Sequence, residues 1–574
     1  MILKPVFENS SIPLLEYPRP QFKRDSYICL NGEWDLKIVE GVKELYNGKI
    51  VVPYSPESEL SGVNKQLQKN QKLVYKKAFE LPNDFNKGVV LLNFGAVDQV
   101  TTVFVNGSKV GVNEGGYLPF SFDITPFLKD GENLLEVEVI DDADSDIYSR
   151  GKQTYNRGGI WYTATSGIWQ TVFLESVPKN YLKFVKLIPN FDDKTLKVVP
   201  EIVGDNKNVK VEVFDGEKLI AEGSGSEEIV VDVSSCKPWE VDNPELYKVI
   251  LTLDKDRVES YFGLRKFSIV EKNGFKLFAL NNKPIFHNGL LDQGYFNKGI
   301  YTPKTNEEVY NEIKLVKELK YNMLRKHIKV EPMLWYYYCD ILGVLVWQDM
   351  INGGAKYKKY RIMLAPFINL HIDDKNYKKM GRSEKSRAFY MKEALALQHN
   401  LYNVVSLCLY TPFNEAWGQF DAVNVTNMLK ENDPSRFYDH ASGWQDKGGG
   451  DVMSRHIYFR KLRLKNDKKR VLAVTEFGGY SLALPGHIFS DEKFGYKIFK
   501  TPEKLLKAYK DLYENQVIPE IIKNGLSATV YTELTDIEDE MNGILTFDRV
   551  LKIDKDELTK LNEKVYNSFN KKFN

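Results

Sequence analysis

From Gly274 onward the chain alternates short apolar runs with helical segments, and no other feature restricts its fold as much. Eight runs read as strands: Ile285–Leu290, Tyr321–His327, Val344–Trp347, Val404–Leu409, Phe437–Ala441, Arg455–Tyr458, Val471–Thr475 and Ala528–Tyr531. Apolar residues spaced by three and four fall between them, as in Asn306–Leu319 behind Thr305 and Pro502–Ile522 behind Thr501. Both threonines suit a helix N-cap. A final helix is expected over Lys555–Phe569. Eight strand–helix units in about 300 residues predict a (β/α)8 TIM barrel, whose functional side chains gather at the carboxyl ends of the strands.

The residues before Gly274 lack that alternation. Residues 1–180 carry short β-type runs (Trp34–Ile38, Lys72–Glu80, Val89–Phe94, Thr101–Val105, Leu134–Ile140, Thr171–Leu174) separated by turns such as Asn31-Gly32, Asn106-Gly107 and Asp130-Gly131. Many short strands with close turns predict a β jelly-roll sandwich. Residues 181–268, with Val209–Val213, Glu228–Val233 and Tyr247–Leu253, predict an immunoglobulin-like β-sandwich. The fold class expected is therefore multidomain, with the barrel over 269–574; 574 residues exceed what one core serves.

Composition excludes more than it selects. A net charge of +1 gives no basis for a nucleic-acid or acidic-membrane partner. The 13% aromatic share suits sugar stacking and β-rich domains alike. Cys29, Cys236, Cys339 and Cys408 show no CxxC spacing and read as free thiols. No apolar stretch is long enough to span a membrane, and the start shows no secretory pattern, so a cytoplasmic location is expected. A homo-oligomer is compatible with this sequence.

Chemistry concentrates at two strand ends. The run ending in LCLYTPFNEAWGQF (407–420) delivers Asn414, Glu415 and Trp417, and VLAVTEFGGY (471–480) delivers Glu476 before a Gly-Gly turn. An indole beside a carboxyl keeps water away and raises its pKa, as a proton donor near neutrality requires. Two carboxylates at one barrel mouth are what glycoside hydrolysis uses. A phosphate loop is excluded: Lys447-Gly448-Gly449-Gly450-Asp451 lacks the Gly-Lys-Ser/Thr ending and reads as a flexible mouth loop. No His pair has metal-ligand spacing, so no metal and no cofactor is expected. Asp536, Glu538, Asp539 and Glu540 read as a solvated acidic loop. The basic stretch Lys356–Arg361 with Lys375–Arg387 reads as a long insertion after strand three.

Four phrases, YPRPQFKRDSYICLNGEWDL (17–36), FGAVDQVTTVFVNGSKVG (94–111), EGGYLPFSFDIT (114–125) and GGIWYTATSGIWQTVFLE (158–175), resemble the sugar-binding domain of glycoside hydrolase family 2. VDNPELYKVILTLDKDRVESYFGLRKFSI (241–269) resembles that family's immunoglobulin-like middle domain. The resemblance implies a retaining exo-β-glycosidase with a carbohydrate substrate, Glu415 as acid/base and Glu476 as nucleophile. It also implies that Asn414 meets the sugar's 2-hydroxyl. Arg325, ending strand two, would keep the nucleophile ionised; His327, two residues on, faces the same side. Tyr458 and His456 end strand six, and a Tyr458 hydroxyl would hold the nucleophile. Asp292 after strand one, Trp347 in strand three, Trp444 after strand five and Tyr531 in strand eight are further sugar-contact candidates. Where many members of the family carry a Trp after strand eight, this chain has Tyr531-Thr532-Glu533. By family frequency a β-galactoside is the first expectation, with β-mannoside, pentopyranoside and galactofuranoside open. A β-glucuronide is disfavoured because 543–549, GILTFDR, lacks an Asn-x-Lys carboxylate-reading phrase.

Overall fold

The structure, a computed structural model, describes residues 4–5, 7–355, 372–492 and 494–574; the Lys356–Arg361 stretch lies outside the described residues. The first sandwich sets a six-stranded antiparallel sheet (Lys43–Val52, Gly32–Glu40, Gln71–Phe79, Asn133–Ile140, Val100–Val105, Ser108–Glu114) on a four-stranded one (Ile28–Cys29, Val172–Val177, Val89–Phe94, Phe120–Asp123). Period-two alternation drives this packing: Gly32–Glu40 buries Trp34, Leu36 and Ile38 and exposes Glu33, Asp35 and Lys37. In the second sandwich, Tyr181–Asn190, Thr195–Val203 and Ile229–Asp232 share a core of Val185, Val198, Val211 and Val249 with a four-stranded sheet.

The barrel strands, numbered here from its start, are β1 His287–Asp292, β2 Met323–Lys326, β3 Leu345–Asp349, β4 Leu407–Thr411, β5 Phe437–Tyr438, β6 Val452–Ile457, β7 Val471–Gly478 and β8 Ala528–Thr532. They form one parallel eight-stranded sheet in the order β5-β4-β3-β2-β1-β8-β7-β6, closed except between the two-residue β5 and β6. The outer helices include α1 Asn306–Glu318, α2 Met333–Leu342, α3 Glu384–Leu401, α4 Ala422–Asn432 and α5 Pro502–Leu512. Thr305 and Thr501 cap α1 and α5 as their positions predict. The expected single helix Pro502–Ile522 is interrupted: Tyr513–Val517 forms a π turn before α6 Ile518–Asn524. Pro519 explains it, because its missing N–H and its ring both disfavour a straight α-helical ladder. α7 Lys555–Phe573 closes the chain.

Two strand–helix units depart from expectation. Among the described residues, neither 439–451 nor 458–470 forms a helix. Three consecutive glycines in the first and a strongly basic run in the second give no helical apolar face. The glycine run is also pinned: the Asp451 carboxylate accepts the Tyr438 N–H at 3.0 Å, and Arg470 donates to the Gly449 carbonyl at 3.2 Å.

The acidic loop is buried rather than solvated, because the first sandwich docks on it. Asp536 pairs with Lys552 at 2.6 Å, Asp539 with Arg157 at 3.1 Å, and Glu538 accepts the Thr163 N–H at 3.0 Å. Glu540 accepts the Tyr162 hydroxyl. Among the described residues no helix is long and apolar enough to cross a membrane. All four cysteines are free thiols, Cys29 half-buried and the others buried.

Candidate active site

Alternation along each strand decides which side chains reach the barrel interior. On β2, Arg325 points inward with no exposed surface, and Lys326 points outward to Asp292 (2.6 Å) and Glu331 (2.8 Å). Asp292 therefore belongs to the outer layer beneath α2, where the Lys326 ammonium also lies 4.4 Å from the Trp335 ring centre. It does not reach the mouth. Tyr531 on β8 also points outward, packing on Tyr509 of α5 at 4.6 Å, while its neighbour Thr532 faces in toward Tyr458. Trp347 is inside the barrel but at its floor. Its indole donates to His287 Nδ1 at 3.1 Å, and both rings pack on Phe278. These three are corrections to the sequence reading, each a matter of strand parity or depth.

The remaining candidates converge. The Arg325 guanidinium forks onto Asp349 (3.0 Å to each oxygen), and also donates to Glu476 Oε1 at 3.1 Å and to Asn414 Oδ1 at 2.9 Å. His327 Nδ1 lies 2.7 Å from Asp349. Burial pushes the His327 pKa down to about 4, so the ring is neutral, donating Nδ1–H to the carboxylate and keeping Nε2 as an acceptor. That Nε2 and the Asn414 Nδ2 are buried and have no hydrogen-bond partner among the described residues.

Glu415 stands on a tight turn after β4. Its φ of +50° and that of Ala416, +62°, are left-handed, and the turn closes with Trp417 N–H on Asn414 O at 2.9 Å. The Glu415 N–H donates to Ser442 O at 3.0 Å, tying this turn to the end of β5. Glu476 is aimed by a bulge: Arg455 pairs with Val474 but His456 pairs with Glu476, leaving Thr475 as the extra residue. The bulge lets consecutive residues serve the interior, Thr475 through its carbonyl to Arg325 (3.0 Å) and Glu476 through its side chain.

His456 bridges the two carboxylates, with Nδ1 at 2.9 Å from Glu415 and 3.4 Å from Glu476, and Nε2 at 3.1 Å from Ser442 Oγ. Carboxylate oxygens of Glu415 and Glu476 and a nitrogen of His456 all lie within 4.8 Å of one another. Burial first, and the Glu476 charge second, push Glu415 above the ordinary carboxylate range. Burial acts upward on Glu476 as well, but its neighbours His456 and then Arg325 outweigh it and hold Glu476 low. Tyr458 donates to Glu476 Oε2, and its ring is stacked on Tyr496 at 4.0 Å. The Gly478-Gly479 turn makes room: a Cβ on Gly479, where φ is +62°, would sit 2.4 Å from the Tyr496 ring. Trp444 lies half-buried at the rim, its ring 5.7 Å from His456.

Three site residues carried no signal in sequence, whereas Gln293, after strand one, is a strand-end candidate. Lys152, Trp161 and Tyr162 come from the first sandwich: Trp161 stacks on Trp417 at 5.4 Å, and the Lys152 ammonium lies 5.6 Å from the Trp417 ring centre. Gln293 donates to Glu533 at 2.6 Å and to the Tyr162 hydroxyl at 2.9 Å. Glu533, in the position after β8, is buried with Oε1 unpartnered. The phrase 158–175 contains Trp161 and Tyr162 but marks them only by resemblance, and no periodicity separates residues that face a neighbouring domain from those that face solvent.

A barrel whose mouth holds two carboxylates, an arginine and bridging histidine and tyrosine is the class of protein that fold and site define. Residues 30–178 match the family described as "Glycosyl hydrolases family 2, sugar binding domain", and 183–265 match "Glycosyl hydrolases family 2". Over 30–265 the chain is therefore similar to glycoside hydrolase family 2. It is 24% identical over 450 residues to a β-galactosidase of Clostridium acetobutylicum, covering 75% of this chain and 47% of that protein. It is 26% identical over 320 residues to a putative β-glucuronidase of Formosa agariphila, covering 51% of this chain and 37% of that one. The chain thus spans less than half the length of these curated relatives. Among solved structures, a β-D-glucuronidase of Dictyoglomus thermophilum shares the fold at a TM-score of 0.75 and 18% identity, covering 96% of this chain and 98% of that one. A β-galacturonidase of Eisenbergiella tayi does so at a TM-score of 0.71 and 18% identity, covering 96% and 98%.

Proposed function

We propose that this protein is a retaining exo-β-glycosidase. The observation that carries the reading is the closeness of two carboxyls, with oxygens within 4.8 Å and His456 between them, where burial pushes the Glu415 pKa up and charged neighbours hold that of Glu476 down. An acid and a nucleophile need shifts of those signs, and their closeness matches the roughly 5–5.5 Å separation of retaining pairs rather than the roughly 6.5–9.5 Å of inverting ones.

In this mechanism Glu415 protonates the leaving oxygen while Glu476 attacks the anomeric carbon, forming a glycosyl ester and breaking the glycosidic bond. Glu415, now ionised, takes a proton from water, whose oxygen displaces Glu476. Arg325 and Tyr458 keep Glu476 ionised and aimed. His456, between both carboxyls, positions them as charge moves from one to the other. The unpartnered Asn414 Nδ2 and His327 Nε2 supply a donor and an acceptor for sugar hydroxyls. The β-galactosidases among the curated relatives favour a galacto-configured glycone.

A panel of p-nitrophenyl β-glycosides tests the activity, and NMR of the first-formed anomer tests retention. Glu476→Gln is expected to abolish aglycone release while sugar binding persists. Wild-type turnover by that variant refutes the assignment of nucleophile, and no turnover of any glycoside by the native protein favours a non-catalytic carbohydrate-binding protein instead.

A further inference from the structure

Lys152 has no role in the reading above. It is supplied by the first sandwich, beside Gly151 and Gln153, and only 7% of it is exposed. Its ammonium lies 5.6 Å from the Trp417 ring centre and 5.8 Å from that of Tyr162. Among the described residues no carboxylate oxygen lies within 4.0 Å of it, and it makes no side-chain hydrogen bond. Trp417 follows Glu415 by two residues, and Tyr162 hydrogen-bonds Gln293 and Glu540, so Lys152 lies beside the strand ends that carry the carboxylate pair, and its charge acts on Glu415 and Glu476.

Lys152 Nζ is not among the buried polar atoms without a partner, so the little exposed surface of this residue includes its ammonium, which is open to an anion entering the barrel mouth. The acids nearest in effect do not serve as that anion. Burial holds Glu415, Glu533 and Glu540 toward the neutral form, and Glu476 is already met by Arg325 and Tyr458. Glu533 adds a complementary feature. Gln293 occupies its Oε2, leaving the buried Oε1 unpartnered on a carboxyl whose pKa burial raises, and in its protonated form that carboxyl can donate to an anion.

We propose that Lys152 is a specificity-determining residue that pairs with a sugar carboxylate, so that the substrate is a β-glycoside containing a uronic acid at the scissile bond. The proposal rests on the glycosidase reading. It departs from the expectation at 543–549: the cation comes from the other end of the chain. The carboxylate can belong to the departing glycone or to the sugar on the leaving side, and two arms separate these sources.

The first arm compares kcat/KM on p-nitrophenyl β-D-glucuronide and β-D-galacturonide with the neutral glucoside and galactoside. The second compares disaccharides with a neutral glycone and a uronate or neutral reducing sugar. In one arm the native enzyme is expected to prefer the acidic member by on the order of 10² or more, and Lys152→Met to lower that preference ratio by on the order of 10², toward one. Lys152→Arg should restore part of the ratio. Preference for neutral members in both arms overturns the proposal and leaves the glycosidase reading standing. No turnover of any member removes both. If Lys152→Met does not fold, by circular dichroism, the native preference in the two arms decides alone.

Discussion

Tyr458→Phe tests the tuning of the carboxylate pair most directly. The ring is clamped on Tyr496 at 4.0 Å, with an interplanar angle of 4°, and phenylalanine preserves that stack. What is lost is one O–H donated to a buried carboxylate, Glu476. A hydrogen bond to a charged group is worth about 1.5–3 kcal/mol. Here it favours the ionised form only, so at about 1.4 kcal/mol per unit its loss raises the Glu476 pKa by roughly 1–2 units. Glu476 is held below its ordinary value in the native site, so activity requiring the carboxylate is present above that pKa and lost as pH falls through it. The acidic limb of kcat/KM should therefore move up by roughly 1–2 pH units in the variant. Because Glu415 and Glu476 interact, the limb reports the lower macroscopic pKa of the pair. The assay is kcat/KM from pH 4 to 9 on the best p-nitrophenyl glycoside, with thermal unfolding as the control for folding. A folded variant whose acidic limb coincides with that of the parent refutes the argument that Tyr458 stabilises the ionised nucleophile.

Glu415→Ala should lower kcat/KM about 10²–10⁴-fold on a poor leaving group and far less on dinitrophenyl glycosides, measured side by side. The same variant should lose the basic limb of the pH profile, since a carboxyl whose pKa is raised serves as acid only below it. Trp347→Ala, at the barrel floor, should cost about 3–5 kcal/mol in denaturant unfolding of the barrel, by emptying the space beside the stacked Phe278 and His287 rings. Gly479→Ala should displace Tyr496 and with it the Tyr458 clamp, lowering kcat more than it changes KM in steady-state assays.

Two physical periods made much of this architecture readable from sequence. Alternation of two in Gly32–Glu40 and of 3.6 in Asn306–Glu318 reports burial directly, so sandwich and barrel could be told apart before any coordinates. A carboxylate after an apolar run, as at Glu415 and Glu476, is legible because strand ends in a barrel share one mouth. The same periods are silent on phase and depth. Asp292, Trp347 and Tyr531 lie on the expected strands, yet parity or height in the barrel takes each away from the mouth. The bulge at Thr475, which turns Glu476 inward, is one unpaired residue set by cross-strand registry rather than by local composition. Lys152 and Trp161 reach the mouth only because one sandwich docks on Glu538–Glu540, a contact between segments nearly 400 residues apart. Local propensity chose the elements, and long-range packing chose which of their side chains share a cavity.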